Sequence, residues 1–255
     1  MSLPIAVQLY SVRDDAAKDY AGTIRKIAEM GYIGVEGVRS YPEGVTVNDA
    51  AKLFRELNLE VVGVHVALPF GADEAPMLSL LETLNCKTAI CPWLDPKQYF
   101  DSLDNLKKAC DMLNKANEVY RKHGYTFGYH NHAFEATKFD GRPALQYMID
   151  LLDPAVFFEL DTYWIQTGGV DVLDTLKQLG NRAPLLHIKD GPVTPDGAMV
   201  AVGSGKMDFK KIIPEVQSTA KWLIVELDRT DGVMMDEVRG SYQYLTSEGL
   251  AHGRK

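Results

Sequence analysis

Eight short apolar runs alternate with eight amphipathic stretches along this 255-residue chain, and that rhythm constrains the fold more than any single motif. The runs are Ile5–Leu9, Ile33–Gly37, Glu60–Val66, Thr88–Cys91, Thr126–Asn131, Val156–Asp161, Pro184–Lys189 and Trp222–Glu226, and their length predicts buried strands. Helices are predicted near residues 18–30, 47–57, 76–85, 97–123, 143–151, 170–179, 208–220 and 234–247. The longest carries Tyr99, Leu103, Leu106, Cys110, Leu113, Asn117 and Tyr120 at three- and four-residue steps, with charges between them. Asn48 and Asp208 are placed to cap helix starts, and Gly31, Gly124 and Gly180 to stop helices. Strand–helix pairs in this number predict a parallel α/β fold, a single (β/α)8 barrel. An open doubly wound sheet would carry a glycine-rich turn after its first strand, and Tyr10-Ser11-Val12-Arg13 has none. No linker or composition shift divides the chain, so residues 1–255 are expected to form one domain.

Bulk properties narrow the partners. A net charge of −8 argues against nucleic acid, because neutralising phosphates takes a basic face. The apolar runs are strand-sized, which excludes a predicted membrane span. Cys86, Cys91 and Cys110 are odd in number and lack metal-finger spacing, as expected of reduced thiols. No charged leader with a long apolar core precedes the first strand, so a cytoplasmic location is expected. The expected partner is a small-molecule carbohydrate. A homodimer is permitted by the tyrosines and the long fourth helix, without being required.

In a barrel of this kind reactive residues gather where strand C-terminal ends meet the following loops. Glu36, His65, His130, Asp161, His187 and Glu226 all fall there, and hydrophobic packing asks for none of them. A single strand-end Asp is more often a cap, and a single His more often a hydrogen-bonded core residue. Asp161, His187 and Glu226, however, end successive strands and together offer carboxylates and an imidazole to one cation, with His130 as a further donor. The expected cofactor is a divalent metal ion, Mn²⁺ ahead of Zn²⁺, Co²⁺ and Mg²⁺, since the set is oxygen-rich and holds no thiolate. Such an ion acidifies the C–H beside a carbonyl. His130 and His132 lie two apart on a strand and point the same way, with Asn131 turned oppositely. His65 and Glu36 are placed to meet substrate hydroxyls, and Trp93 and Trp164 to line a sugar-sized pocket. Glu159 is expected to pair with Lys189. The stretch Gly203-Ser204-Gly205-Lys206 looks like a phosphate loop, yet Val200 and Met207 break the motif, so a tight turn before a helix is expected.

The combination of Gln8-Leu9-Tyr10-Ser11, Gly34-Val35-Glu36-Gly37, Gly63-Val64-His65-Val66, Gly128-Tyr129-His130-Asn131-His132-Ala133-Phe134-Glu135, Glu159-Leu160-Asp161-Thr162, Leu186-His187-Ile188-Lys189-Asp190 and Val225-Glu226 resembles the xylose-isomerase-like TIM barrels of the sugar phosphate isomerase/epimerase type. In the ketose 3-epimerases of that superfamily a Glu–Asp–His–Glu set binds Mn²⁺ or a similar ion, and the glutamates serve as acid and base. By resemblance Asp161, His187 and Glu226 take the last three places. His130 stands where the strand-five glutamate is expected, and Glu135 resembles a substrate-contacting glutamate just downstream. The resemblance therefore implies catalytic roles for Glu226, His130 and Glu135, and metal ligation by Asp161, His187, Glu226 and His130. Substrate contact is expected from His65, Glu36, His132, Trp164, Lys189 and Trp93. The implied activity is a metal-dependent sugar or keto-sugar isomerase or epimerase that abstracts an α-proton and passes through an enediolate. A lyase working by β-elimination on a keto-sugar or inosose, and a barrel that binds sugar without turning it over, are the alternatives. An endonuclease IV-type relative is disfavoured, because it needs a larger His and carboxylate set and a basic surface.

Overall fold

The computed structural model describes residues 2–254. Its barrel strands are β1 (Leu3–Gln8), β2 (Gly34–Gly37), β3 (Glu60–His65), β4 (Thr88–Cys91), β5 (Thr126–His130), β6 (Phe157–Asp161), β7 (Leu185–Ile188) and β8 (Trp222–Val225). Each pairs in parallel with the next, and β1 closes the circle by pairing with β8, Ile5 opposite Leu223 and Val7 opposite Val225. The predicted (β/α)8 barrel is therefore what the chain forms. The matching outer helices are α1 (Tyr20–Met30), α2 (Val47–Glu56), α3 (Glu74–Thr83), α4 (Leu103–Lys122), α5 (Ala144–Leu151), α6 (Val172–Leu179), α7 (Phe209–Val216) and α8 (Met234–Ser247). Among the described residues no helix is long and apolar enough to cross a membrane.

Three local expectations give way to backbone chemistry. The stretch 97–123 breaks, because Ser102 adopts an extended conformation and accepts the Asn105 amide at 3.3 Å, starting α4 afresh after a short Pro96–Tyr99 helix. The cap of α2 is Thr46, not Asn48. Thr46 and Asp49 satisfy each other's backbone amides in a capping box, which Asn48, inside the helix, cannot do. Asp208 precedes α7 but makes no capping bond, since its carboxylate is held by Lys211 at 2.8 Å. Gly31, Gly124 and Gly180 all take positive φ at helix ends, as expected.

Alternation along the strands divides the barrel interior into two layers. Ala6, Val62, Ile90, Phe157, Leu185 and Ile224 fill the lower one as a separate apolar cluster, with Trp222 packed against it. Two residues further along β1, β6, β7 and β8 the positions are polar: Gln8, Glu159, His187 and Glu226 stand above that plug, joined by His130 at the end of β5. Gly128 keeps the plug compact, because a Cβ there would lie 2.3 Å from the Phe157 ring. Gly128→Ala is expected to lower stability by about 1–3 kcal/mol through overpacking, read from the urea midpoint. At the opposite end from the polar layer, Leu3 and Pro4 pair in parallel with Ala251 and His252, and His252 Nδ1 lies 2.8 Å from the Ser2 carbonyl oxygen.

Candidate active site

The upper layer is a buried network of carboxylates and imidazoles. His187, on β7, lies at its centre: Nδ1 is 2.6 Å from Glu226 Oε2, and Nε2 is 2.7 Å from Glu36 Oε2 and 3.2 Å from Glu159 Oε2. His65 Nε2 meets Glu159 Oε2 at 2.9 Å and Glu36 Oε2 at 3.2 Å. Gln8 Nε2 donates to Glu36 Oε2 at 2.5 Å, which fixes that carboxylate from the β1 side. His130 packs against His187 with ring centroids 4.4 Å apart and planes tilted by 55°, and its Nδ1 lies 3.3 Å from Glu159 Oε2. Two overlapping sets have donor atoms within 4.8 Å of one another: His130, Asp161, His187 and Glu226, and His65, His130, Glu159 and His187. The first is the set expected from the strand ends. Register explains why it converges, since β6 and β7 pair Asp161 directly with His187 and β8 and β7 pair Ile224 with it.

Lys189 completes the network, though not with the expected partner. Its ammonium lies 3.0 Å from Asp161 Oδ2, 2.7 Å from Glu226 Oε2 and 2.8 Å from Asp228 Oδ2. Glu159 is opposite Leu185, four residues below Lys189 on β7, so the lysine reaches the Asp161 level and Glu159 turns to the histidines instead. The Asp161 approach lacks hydrogen-bond geometry, and Asp161 Oδ2 is buried without such a partner, as are His130 Nδ1, Glu36 Oε1 and Glu159 Oε1.

Burial and charge set opposite protonation tendencies within a few ångströms. Burial opposes the charge of His65, but Glu36 and Glu159 outweigh it and push its imidazole up to about 10. His187 is likewise raised, burial being outweighed by Glu159, Glu226 and Glu36. His130 goes the other way: burial and the neighbouring His187, His132 and Lys189 hold it neutral. Burial raises Glu226, yet Lys189 and His187 more than reverse this and keep it ionised. Burial and the adjacent Glu36 raise Glu159. Burial takes Asp161 up to about 6 against the pull of Lys189. Perturbation in both directions within one cleft makes this layer the candidate active site.

The remaining predicted residues divide between the network and its frame. His132 sits beyond β5, stacked on Phe134 at 5.3 Å and facing Trp164 at 6.4 Å, and burial pulls its imidazole down to about 3. Asn131, turned the other way, clamps the Asp161 backbone: its Oδ1 accepts the Asp161 amide at 2.9 Å and its Nδ2 donates to the Asp161 carbonyl. Trp93 is exposed on the rim of the cleft, whereas Trp164 is buried beneath Lys189, whose Nζ lies 5.5 Å from the ring centroid. Glu135 is not among the converging donors. Its Oε1 accepts from Tyr129 Oη at 2.5 Å and its Oε2 from the His132 amide at 2.9 Å, so it ties the loop after β5 to the outward face of that strand.

Burial pushes the Glu135 carboxyl up to about 8, only partly offset by those two donors. A carboxyl raised above its unfolded value of 4.5 binds more protons in the folded state, so its contribution falls as pH climbs towards 8. Glu135→Gln mimics the protonated form. Its urea midpoint relative to wild type is expected to rise between pH 5 and pH 8, and a constant difference would refute the shift.

Several important residues gave little sequence signal. Glu159 is a hub for three histidines, but only its shared face with Asp161 hinted at this. Asp228 lies beyond the end of β8, where alternation no longer applies. Asp190 is the most instructive. Its carboxylate accepts the amides of Gly203 and Gly205 on Oδ2, at 2.9 and 3.0 Å, and of Gly191 and Met207 on Oδ1, at 2.8 and 3.0 Å. The phosphate-loop lookalike is therefore a cradle already filled by the chain's own carboxylate, and a Cβ at Gly205 would lie 2.1 Å from it.

Comparison with known proteins agrees with this architecture. Residues 24–247 match the model of the xylose isomerase-like TIM barrel family. A sugar phosphate isomerase/epimerase from Parabacteroides distasonis superposes with a TM-score of 0.81 at 26% identity, over 96% of this chain and 98% of that one. A probable 3-DHS dehydratase involved in petrobactin synthesis from Bacillus anthracis gives 0.74 at 16% identity, over 96% and 99%. The IolI protein with a bound zinc atom gives 0.73 at 14%, over 97% and 98%. These last two likenesses show the fold alone. No curated protein matches the chain by sequence. The match over most of its length, on a closed barrel of the same architecture, makes this chain a member of the xylose isomerase-like TIM barrel family.

Proposed function

We propose that the protein is a metal-dependent isomerase or epimerase of a sugar or keto-sugar, working by α-proton abstraction through an enediolate. The observation that carries this reading is the charge balance of the buried layer. Glu36, Glu159, Asp161 and Glu226 are buried together, and apart from Lys189 only the protons that these carboxylates hold on His65 and His187 offset them, so that an ion at His187 would take the place of its proton. Buried carboxylates demand compensation, and buried donor atoms left without partners demand a ligand. His130, Asp161, His187 and Glu226 fit a divalent ion on both counts, and their oxygen and nitrogen donors suit Mn²⁺. When bound there, such an ion supplies polarisation of a carbonyl and acidity at the neighbouring carbon.

The side chains would then divide the proton work. Glu226, kept ionised by Lys189 and His187, takes the α-proton on its carboxylate. Glu226 returns that proton to the neighbouring carbon, while His130, held neutral, accepts the proton of the adjacent hydroxyl and passes it to the former carbonyl oxygen, so that both residues end as they began. Lys189 steadies Glu226 from 2.7 Å and offers its ammonium to a substrate oxygen. His65, Glu36 and His132 orient hydroxyls, while the buried plug beneath the layer keeps water from entering below. The same proton removal ends in β-elimination where a leaving group sits beside the carbanion, and the fold shared with a probable dehydratase favours keeping that outcome as the second reading.

Elemental analysis tests the metal. Protein purified without chelator and supplied with Mn²⁺, Zn²⁺, Co²⁺ and Mg²⁺ is expected to retain about one ion per chain at this four-donor site, and an Asp161→Ala/His187→Ala variant none. Retention of no ion in either protein, with a keto-sugar still bound but unchanged, would favour a barrel that binds sugar without turnover.

A further inference from the structure

The cleft continues well beyond the carboxylate–imidazole network. Its volume is about 1020 Å³, at the top of the range of about 300–1,000 Å³ typical of small-molecule sites. The donors to the proposed ion come from β5–β8. Most of the remaining wall comes from the loops that follow β1, β2, β3 and β4, on the other half of the barrel mouth.

That second half is built unlike the first. Of the five large apolar side chains exposed among the described residues, Tyr10 at 45%, Phe70 at 38% and Trp93 at 51% all line this one cleft. Exposed aromatics gathered at one place mark a binding surface, and their flat faces suit the C–H face of a sugar ring. Behind them Tyr20 and Tyr41 meet edge to face at 5.9 Å, and the hydroxyls of both are buried in the cleft wall without a hydrogen-bond partner. These hydroxyls lie just beneath the wall, so it is the exposed Tyr10, Phe70 and Trp93 that meet a ligand directly.

Charge decides against a phosphate on this side. The lining holds Arg13, Arg39 and His65 against Asp73, Glu226 and Asp228, and His65 is already paired with Glu36 and Glu159, so Arg39 stands without a second cation converging on it. Arg13 is already committed, donating to the carbonyls of Tyr10 and Asp228 at 2.8 and 2.9 Å and lying over the Tyr10 ring at 4.1 Å. Phosphate recognition needs convergent cations or free amides, and the loop amides at 203–207 are occupied by Asp190.

We infer that the wall formed by Tyr10, Tyr20, Tyr41, Phe70 and Trp93 is a second subsite for the non-reacting ring of an uncharged glycoside of disaccharide size. The inference rests on the reading of the network as a keto-sugar site, and it sets the substrate class of that site. Isothermal titration of the full chain with glucose, glucose 6-phosphate, cellobiose, maltose and trehalose tests it. At least one disaccharide is expected to bind about tenfold tighter than glucose, and Phe70→Ala and Trp93→Ala to bring that ratio towards one. Both side chains are substantially exposed, so the variants should keep the wild-type melting temperature. A disaccharide bound no tighter than glucose, an unchanged ratio in both variants, or tightest binding of glucose 6-phosphate would overturn the second subsite while leaving the keto-sugar reading in place. Failure of every sugar to bind would likewise overturn the second subsite, and the keto-sugar reading would then stand or fall on ion content and α-proton exchange.

Discussion

Glu226→Gln is expected to slow exchange of the substrate α-proton with solvent by about 10²–10⁴-fold, the usual share of a positioned general base. The carboxylate is held ionised by Lys189 and His187, which lie 2.7 and 2.6 Å from it. The amide keeps the shape of the side chain and one oxygen donor but cannot accept the proton. Deuterium incorporation at the α-carbon of a confirmed substrate, followed by NMR, reads the effect directly. Unchanged exchange would remove Glu226 from the proton path and leave His130 as the base. The variant also separates two jobs of one residue, since ion content measured beside exchange shows whether any loss comes from ligation or from proton transfer.

Asp190→Ala is expected to be the costliest change to stability, at about 3–5 kcal/mol, because a buried charge-assisted network loses its acceptor. The carboxylate is fully buried and receives the amides of Gly191, Gly203, Gly205 and Met207. Water can reach the amides of the exposed Gly203 and Gly205 after the substitution, but not the buried amides of Gly191 and Met207. Asp190→Asn, which retains one acceptor oxygen, should fall between the variant and wild type in urea midpoint. A loss under about 1 kcal/mol for the alanine variant would mean that the loop re-forms around other acceptors.

The barrel was legible because its signals are periodic. Buried runs such as Trp222–Glu226 and helical repeats such as Leu106, Cys110 and Leu113 survive reading without any tertiary context. The same period-two logic places Asp161, His187 and Glu226 at neighbouring strand ends, where register then brings them into one layer. What alternation cannot supply is depth. Glu159 and Lys189 share faces with Asp161 and His187, yet they stand at different heights along the barrel axis and never meet as a pair. Residues outside the strands gave weaker signals still: Asp228 and Ser102 act through loop geometry. The glycines around Asp190 spell a phosphate-binding pattern in sequence, because a nest of amides looks the same whichever anion fills it.

The pairing of Leu3 and Pro4 with Ala251 and His252 has a practical side. Both ends of the described chain emerge together at the strand-start end of the barrel, while the cleft opens at the other. A fluorescent tag, a surface tether or a second enzyme joined to either end would stand clear of the mouth by the depth of the barrel. A short peptide bridging the ends would also turn the chain into a closed ring of βα units, free to be reopened at a surface loop such as the Asp140-Gly141 turn, where both residues take positive φ. Such rearranged chains would keep every strand neighbour they now have, which makes this barrel a ready scaffold for displaying or immobilising whatever chemistry its cleft performs.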